Sequence, residues 1–208
     1  MSPLRPLLAA VALAALTACA KPVPPPAAAN DPIPLTGAHD TLEAEQYLHY
    51  AVGAHVDAPP EVVWALLTDA AAYPDWNSTV VSLDGAIALG ETIKLVSTVD
   101  PGRTFKLEVS AFEPDRRLVW EDGNDSFRGV RTFTLTPAGG GTDVTMKEAL
   151  TGTMLPKIAP KLPDFGPSFD AFMADLKAEA ERRSPKPVEE PAVEPDEPEE
   201  QEAALPEE

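Results

Sequence analysis

Between Thr92 and Leu150 polar and apolar residues alternate in five successive runs: Thr92–Val99, Thr104–Phe112, Arg117–Glu121, Phe127–Leu135 and Asp143–Leu150. A period of two sends neighbouring side chains to opposite faces of a strand, so each run reads as a half-buried β-strand. Turn-forming residues interrupt them at Asp100-Pro101-Gly102, Pro114-Asp115, Asp122-Gly123-Asn124-Asp125 and Gly139-Gly140-Gly141. Links this short join neighbours antiparallel. An earlier run, Tyr50 to Asp57, alternates in the same way before Pro59-Pro60, which stops a ladder and suits the first turn of a helix. Val63, Leu66 and Leu67 form the stripe of that helix, which ends near Asp69, and Tyr73-Pro74-Asp75-Trp76-Asn77 is a second short helical segment. Phe165, Phe169, Phe172, Met173, Leu176 and Ala180 recur at helical spacing and close the unit. One strand, two short helices, a string of strands and a long helix predict an α+β domain. The last helix covers one face of its antiparallel sheet.

No disulfide can staple this fold, because Cys19 is the only cysteine; a hydrophobic core must hold it. The net charge is -18. Residues 184–208 carry ten acids against one lysine (Lys186), while residues 41–183 carry 22 acids against 13 Lys and Arg. Such a chain repels phosphate backbones, and no basic stripe offsets the repulsion, so nucleic acid is not an expected partner. From Lys21 to Asp40 the chain is rich in proline and alanine, a composition that favours extended geometry. The expected organisation is an export signal over residues 1–18, a stalk over 19–41, a folded domain over 42–183 and a disordered acidic tail over 184–208. The tail is either a solubilising extension or a surface for a cationic partner.

Met1 and Arg5 precede an apolar run from Leu7 to Leu16 that is too short to span a bilayer, as in a secretory signal. It ends in Leu16-Thr17-Ala18-Cys19, which resembles the lipobox of bacterial lipoproteins. The resemblance implies that Cys19 is acylated, becomes the first residue of the mature protein and anchors it to a membrane of the bacterial envelope. Ala20 stands where inner-membrane retention usually has aspartate, which points to the outer membrane. The competing reading is an ordinary signal peptide with a chance cysteine.

The segments Val56-Asp57-Ala58-Pro59-Pro60-Glu61-Val62-Val63-Trp64, Asp69 and Tyr73-Pro74-Asp75-Trp76-Asn77 resemble the START-like (SRPBCC) superfamily, in particular its polyketide cyclase/dehydrase-type bacterial branch. Phe112-Glu113-Pro114, Arg117-Leu118-Val119-Trp120 and Gly141-Thr142-Asp143-Val144 fit its later strands. The resemblance covers roughly residues 47–183. It implies a helix-grip fold: a curved seven-stranded antiparallel sheet wrapped around a long C-terminal helix, with two short helices after the first strand and a cavity between. It also implies a hydrophobic small molecule or lipid as ligand, with catalysis in some members only, since the superfamily has no invariant catalytic set.

Strand parity places Phe127, Gly129, Arg131, Phe133 and Leu135 on one face, and Val144, Met146, Glu148 and Leu150 on one face of the next strand. If the glycine turn sets Leu135 opposite Val144, Phe133 faces Met146 and Arg131 faces Glu148. Two charges on an apolar face are costly unless paired, so these two are expected to be partners, either as an anchor for a ligand carboxylate or carbonyl or as a structural pair at the sheet's end. Expected ligand-binding residues are Trp76, Trp120, Arg131, Phe133, Met146, Glu148, Phe169 and Met173, and the resemblance to the superfamily implies that Tyr73 and Trp76 lie in a loop bordering the cavity entrance. Trp64 reads as core. Arg131 and Glu148 are the only candidates for catalysis, as electrophile and acid/base. His39 falls in the stalk, and His49 and His55 share the outer face. No HExxH, CxxC, Gly-x-Ser-x-Gly or phosphate-loop pattern occurs, so neither a metal nor a cofactor is expected. Three functions fit: a tethered carrier or sensor of a hydrophobic ligand, a cyclase/dehydrase-like enzyme, and an interaction module that works through its acidic tail.

Overall fold

The computed structural model describes residues 23–184. Cys19, the export signal and the acidic tail beyond Ser184 lie outside the described residues. Eight strands form one antiparallel sheet in the order β1-β2-β8-β7-β6-β5-β4-β3. They are β1 (Asp40–Ala44), β2 (Tyr47–Val56), β3 (Val80–Asp84), β4 (Thr92–Ser97), β5 (Asp100–Glu113), β6 (Arg117–Asn124), β7 (Phe127–Ala138) and β8 (Gly141–Thr151). Helices α1 (Pro60–Thr68) and α2 (Tyr73–Trp76) connect β2 to β3. The short α3 (Leu155–Ile158) leads into α4 (Gly166–Arg183), which packs against β2, α1 and α2.

The α+β helix-grip architecture is the one expected, with one strand more than seven. β1 and β3 lie at the two edges of the sheet and are only five residues long. Edge strands this short carry too few alternations to signal themselves. The glycine turn works as anticipated: Gly139 and Gly140 take φ of +56° and +84°, the left-handed pair that a two-residue hairpin of matching twist requires. It sets Leu135 opposite Val144, Phe133 opposite Met146 and Arg131 opposite Glu148.

Two expected turns lie elsewhere. The β4–β5 chain reversal uses Thr98-Val99, and Asp100 already pairs with Ser97. Pro101-Gly102 instead falls in an irregularity between the Ser97↔Asp100 and Leu95↔Phe105 pairs, a position where a missing N–H costs no ladder bond. Asp122-Gly123-Asn124 continues β6, and the reversal follows at Asp125-Ser126. Gly123 there has φ +98°, so the dipeptide that resembles a turn bends a strand instead.

Within the expected stalk of residues 19–41, the described part packs against the domain. Residues 28–34 lie over the outer face of β1, β2 and β8. The Gly37 N–H donates to the Gly53 carbonyl at 2.8 Å, and Lys147 Nζ donates to the Ala29 carbonyl at 3.2 Å. Gly53 permits this approach, since a Cβ there would sit 2.9 Å from the Pro34 carbonyl oxygen. As a result β2 is buried on both faces, with only His55 partly exposed.

His39 closes the strap onto α4. Its backbone N–H donates to Asp170 Oδ1 at 2.5 Å, and its Nδ1 lies 2.9 Å from Asp170 Oδ2. The core lies between the inner sheet face and α4 and is rich in rings: Tyr73, Trp76, Trp120, Phe133 and Phe172 touch in one cluster, with centroids 4.8–6.2 Å apart.

Candidate ligand cavity

The aromatic cluster fills the middle of the grip, and the free space lies beside it. A cavity of about 110 Å³ opens between β4–β8 and the N-terminal half of α4. Its apolar walls include Leu95, Phe105, Leu107, Leu150, Phe165 and Phe169. Four charged side chains, Arg103, Asp122, Arg131 and Glu148, line it as well. Of the eight expected ligand-binding residues, Arg131, Met146, Glu148 and Phe169 line this cavity. Trp76, Trp120, Phe133 and Met173 do not: each is at most 9% exposed and packed into the core. Tyr73 is fully buried and donates its hydroxyl to the Leu67 carbonyl at 3.0 Å, so neither it nor Trp76 borders an entrance. Large rings near a small core fill it before they line a void. Trp64 is core, as expected, with Phe112 edge-on at 5.0 Å.

Arg131 and Glu148 form the expected pair, Nε to Oε2 at 2.6 Å. The guanidinium also lies over the Phe169 ring, 5.2 Å from its centroid, a cation–π arrangement that ties the pair to α4. Only Nε is engaged with Glu148, which leaves the terminal guanidinium nitrogens as donors for a ligand oxygen.

Asp122 and Arg103 escaped the sequence reading. Asp122 sits opposite Gly129 on the inner face. A Cβ on Gly129 would lie 2.9 Å from Asp122 Oδ1 and 3.1 Å from Glu148 Oε1, so the missing side chain gives two carboxyl groups room in the same corner. Burial raises the Asp122 pKa, against the pull of the Arg103 charge, the Gly129 N–H and the Arg131 charge. The alternation Leu118, Trp120, Asp122 held the signal, but Asp-Gly-Asn-Asp reads as a turn. Arg103 was hidden by Pro101-Gly102 in the same way; it lies over the Phe105 ring at 4.4 Å.

Among the described residues no group of three or more His, Cys, Asp or Glu side chains could hold a metal ion. No helix among them is long and apolar enough to cross a membrane.

No curated protein matches the sequence. Solved structures do match in fold. A Rhodobacter sphaeroides protein is 23% identical with a TM-score of 0.51, over 67% of this chain and 95% of that one. Protein Ms6760 from Mycobacterium smegmatis is 14% identical with a TM-score of 0.52, over 68% and 95%. The di-domain ARO/CYC BexL of the BE-7585A biosynthetic pathway is 15% identical with a TM-score of 0.50, over 67% of this chain and 52% of its own. These likenesses show the fold alone. The family model for polyketide cyclase/dehydrase and lipid transport matches residues 48–181, which run from the second residue of β2 through β8 to nearly the end of α4. This chain therefore belongs to the polyketide cyclase/dehydrase and lipid transport family.

Proposed function

We propose that the protein is a membrane-tethered binding protein. Its cavity takes the apolar part of a hydrophobic small molecule or lipid, and Arg131 holds a carboxylate or carbonyl oxygen of that ligand. One observation carries this reading: an apolar cavity beside α4 ends on an ion pair with unused guanidinium donors. The family's association with lipid transport supports it. The lipobox at Cys19 supports attachment to the bacterial envelope, at the outer membrane given Ala20. The acidic residues beyond Ser184 would add a weak, salt-sensitive attraction for a cationic partner. Native mass spectrometry of the chain from Ala20 onward, released from gentle purification, should show a co-purified apolar ligand. A bare polypeptide mass, together with no uptake of added fatty acid, would remove the proposal.

A second reading, a cyclase/dehydrase-like enzyme, is favoured by Asp122. A carboxyl group that resists ionisation beside Arg131 and Glu148 supplies an acid next to an electrophile. In that case Asp122→Asn and Glu148→Gln each abolish turnover of a polyketide-like substrate and leave binding intact. Unchanged turnover in both variants would dismiss the enzyme reading.

A further inference from the structure

A second hollow lies on the opposite face of the sheet, between the strands and the strap of residues 23–39. Its volume is about 190 Å³. Ala51 forms the floor, because the register sets it between Asp40 on β1 and Lys147 on β8. Ile33 and Leu42 give apolar walls, and the titratable groups that line it are Asp31, Asp40, His49 and Lys147.

These polar groups are not satisfied by one another. His49 has 6% of its side chain exposed, yet its Nε2 has no hydrogen-bond partner. The nearest acid, Asp40 Oδ2, is 3.9 Å away, beyond hydrogen-bond reach. The other ring nitrogen, Nδ1, lies 3.0 Å from the Tyr47 hydroxyl. A buried polar nitrogen without a partner is uncommon in folded proteins and calls for an occupant. Burial, with the Lys147 charge as a smaller cause, lowers the His49 pKa against the opposing pull of the Asp40 carboxylate. Lys147 spends one of its three donors on the Ala29 carbonyl, and it is in no ion pair among the described residues.

We propose that this outer-face hollow is a second binding site, for a small zwitterion of the α-amino-acid class, with its carboxylate on Lys147 and its ammonium on Asp40. Asp40 and Lys147 stand two strands apart, roughly 10 Å between backbones, with opposite charges on either side of a floor that has only a methyl group. An α-amino acid carries both charges on one carbon. It therefore offers a carboxylate to Lys147 Nζ and an ammonium to the Asp40 carboxylate, whose side chain is 69% exposed at the mouth of the hollow. Its side chain would rest on Ile33 and Leu42, and His49 Nε2 would meet the ligand at the buried end. The site is independent of the inner cavity, since the sheet separates them. It depends on the strap, because Ala28, Ala29 and Ile33 roof it.

The test is titration of L-alanine into the full chain in detergent, followed by the imidazole resonances of His49. A saturable shift is expected. Acetate and methylammonium, each with half of the zwitterion's charge, should bind at least about tenfold more weakly. Lys147→Met and Ala51→Val should each weaken L-alanine binding by about tenfold or more, the first by removing a charge and the second by filling the floor. Near-ultraviolet circular dichroism of the buried tryptophans reports whether each variant keeps its core. A missing saturable shift, equal binding of acetate, or undiminished binding by a folded Ala51→Val variant would overturn the proposal.

Discussion

Arg131 Nε donates to Glu148 Oε2 at 2.6 Å across the β7–β8 pair, and the two side chains are only 20% and 18% exposed. Breaking such a pair from one side leaves the other charge in a poorly hydrated corner. Glu148→Ala should therefore lower stability by about 2 kcal/mol, below the cost at a fully buried pair because the site is partly wet. The Arg131→Met/Glu148→Met double variant should recover most of that loss in urea unfolding and still fail to bind a fatty acid. If the double variant were no more stable than Glu148→Ala, the isolated charge would not be the cause.

Gly129 keeps the polar corner of the cavity open. The atoms a new Cβ would meet are the tips of Asp122 and Glu148, at 2.9 and 3.1 Å, and both can swing away. Gly129→Ala should thus cost at most about 1 kcal/mol of stability, within the range of ordinary surface and strand substitutions. Ligand affinity should fall about tenfold, because the displaced carboxyl groups enter the space a ligand head would occupy. Calorimetry with a fatty acid checks this; full affinity in Gly129→Ala would place the ligand head elsewhere.

Asp122 gives the cavity a pH signature. Burial raises its pKa above the ordinary 3.8, so the native state binds more protons than the unfolded chain in the window above that value. Stability from this group is present below the ordinary value and lost as pH rises through the folded one. Asp122→Asn should raise the melting temperature at about pH 7 and leave it unchanged at about pH 3. An equal increment at both pH values would mean that ionisation of Asp122 is not involved.

The strap is latched by one close approach. A Cβ at Gly166 would lie 2.2 Å from His39 Nε2, so Gly166→Ala in the native chain must dislodge the ring from Asp170. Loss of that bond costs about 1 kcal/mol. In a His39→Ala background the three nearest atoms that a new Cβ would meet are gone, and at this first position of α4 the same change should be close to neutral. The double-mutant cycle should show a coupling of about 1 kcal/mol, and additive effects would contradict the latch.

These residues also show where the sequence was readable. The β7–β8 register, and with it the Arg131–Glu148 pair, followed from one glycine turn and strict alternation on both flanks. Asp122 and Arg103 were lost because Gly123 and Pro101-Gly102 look like turn residues. Local composition cannot distinguish a bend within a long strand from its end. Trp76 and Trp120 were misplaced for a different reason: an inward-facing ring says that a residue is inside, and only the three-dimensional packing of Tyr73, Trp120, Phe133 and Phe172 shows which part of the inside is full. The packing of the strap was not legible because proline and alanine suit an extended segment in water and one applied to a sheet equally well.

The most direct test compares the binding of a fluorescent fatty acid by the chain from Ala20 onward with binding by Leu107→Trp, which adds bulk to the cavity wall from β5 and leaves Arg131 and Glu148 in place. Saturable binding by the native protein and a loss of about tenfold or more in the folded variant are expected. Equal binding by the two proteins, or none by either, would contradict ligand binding in this cavity.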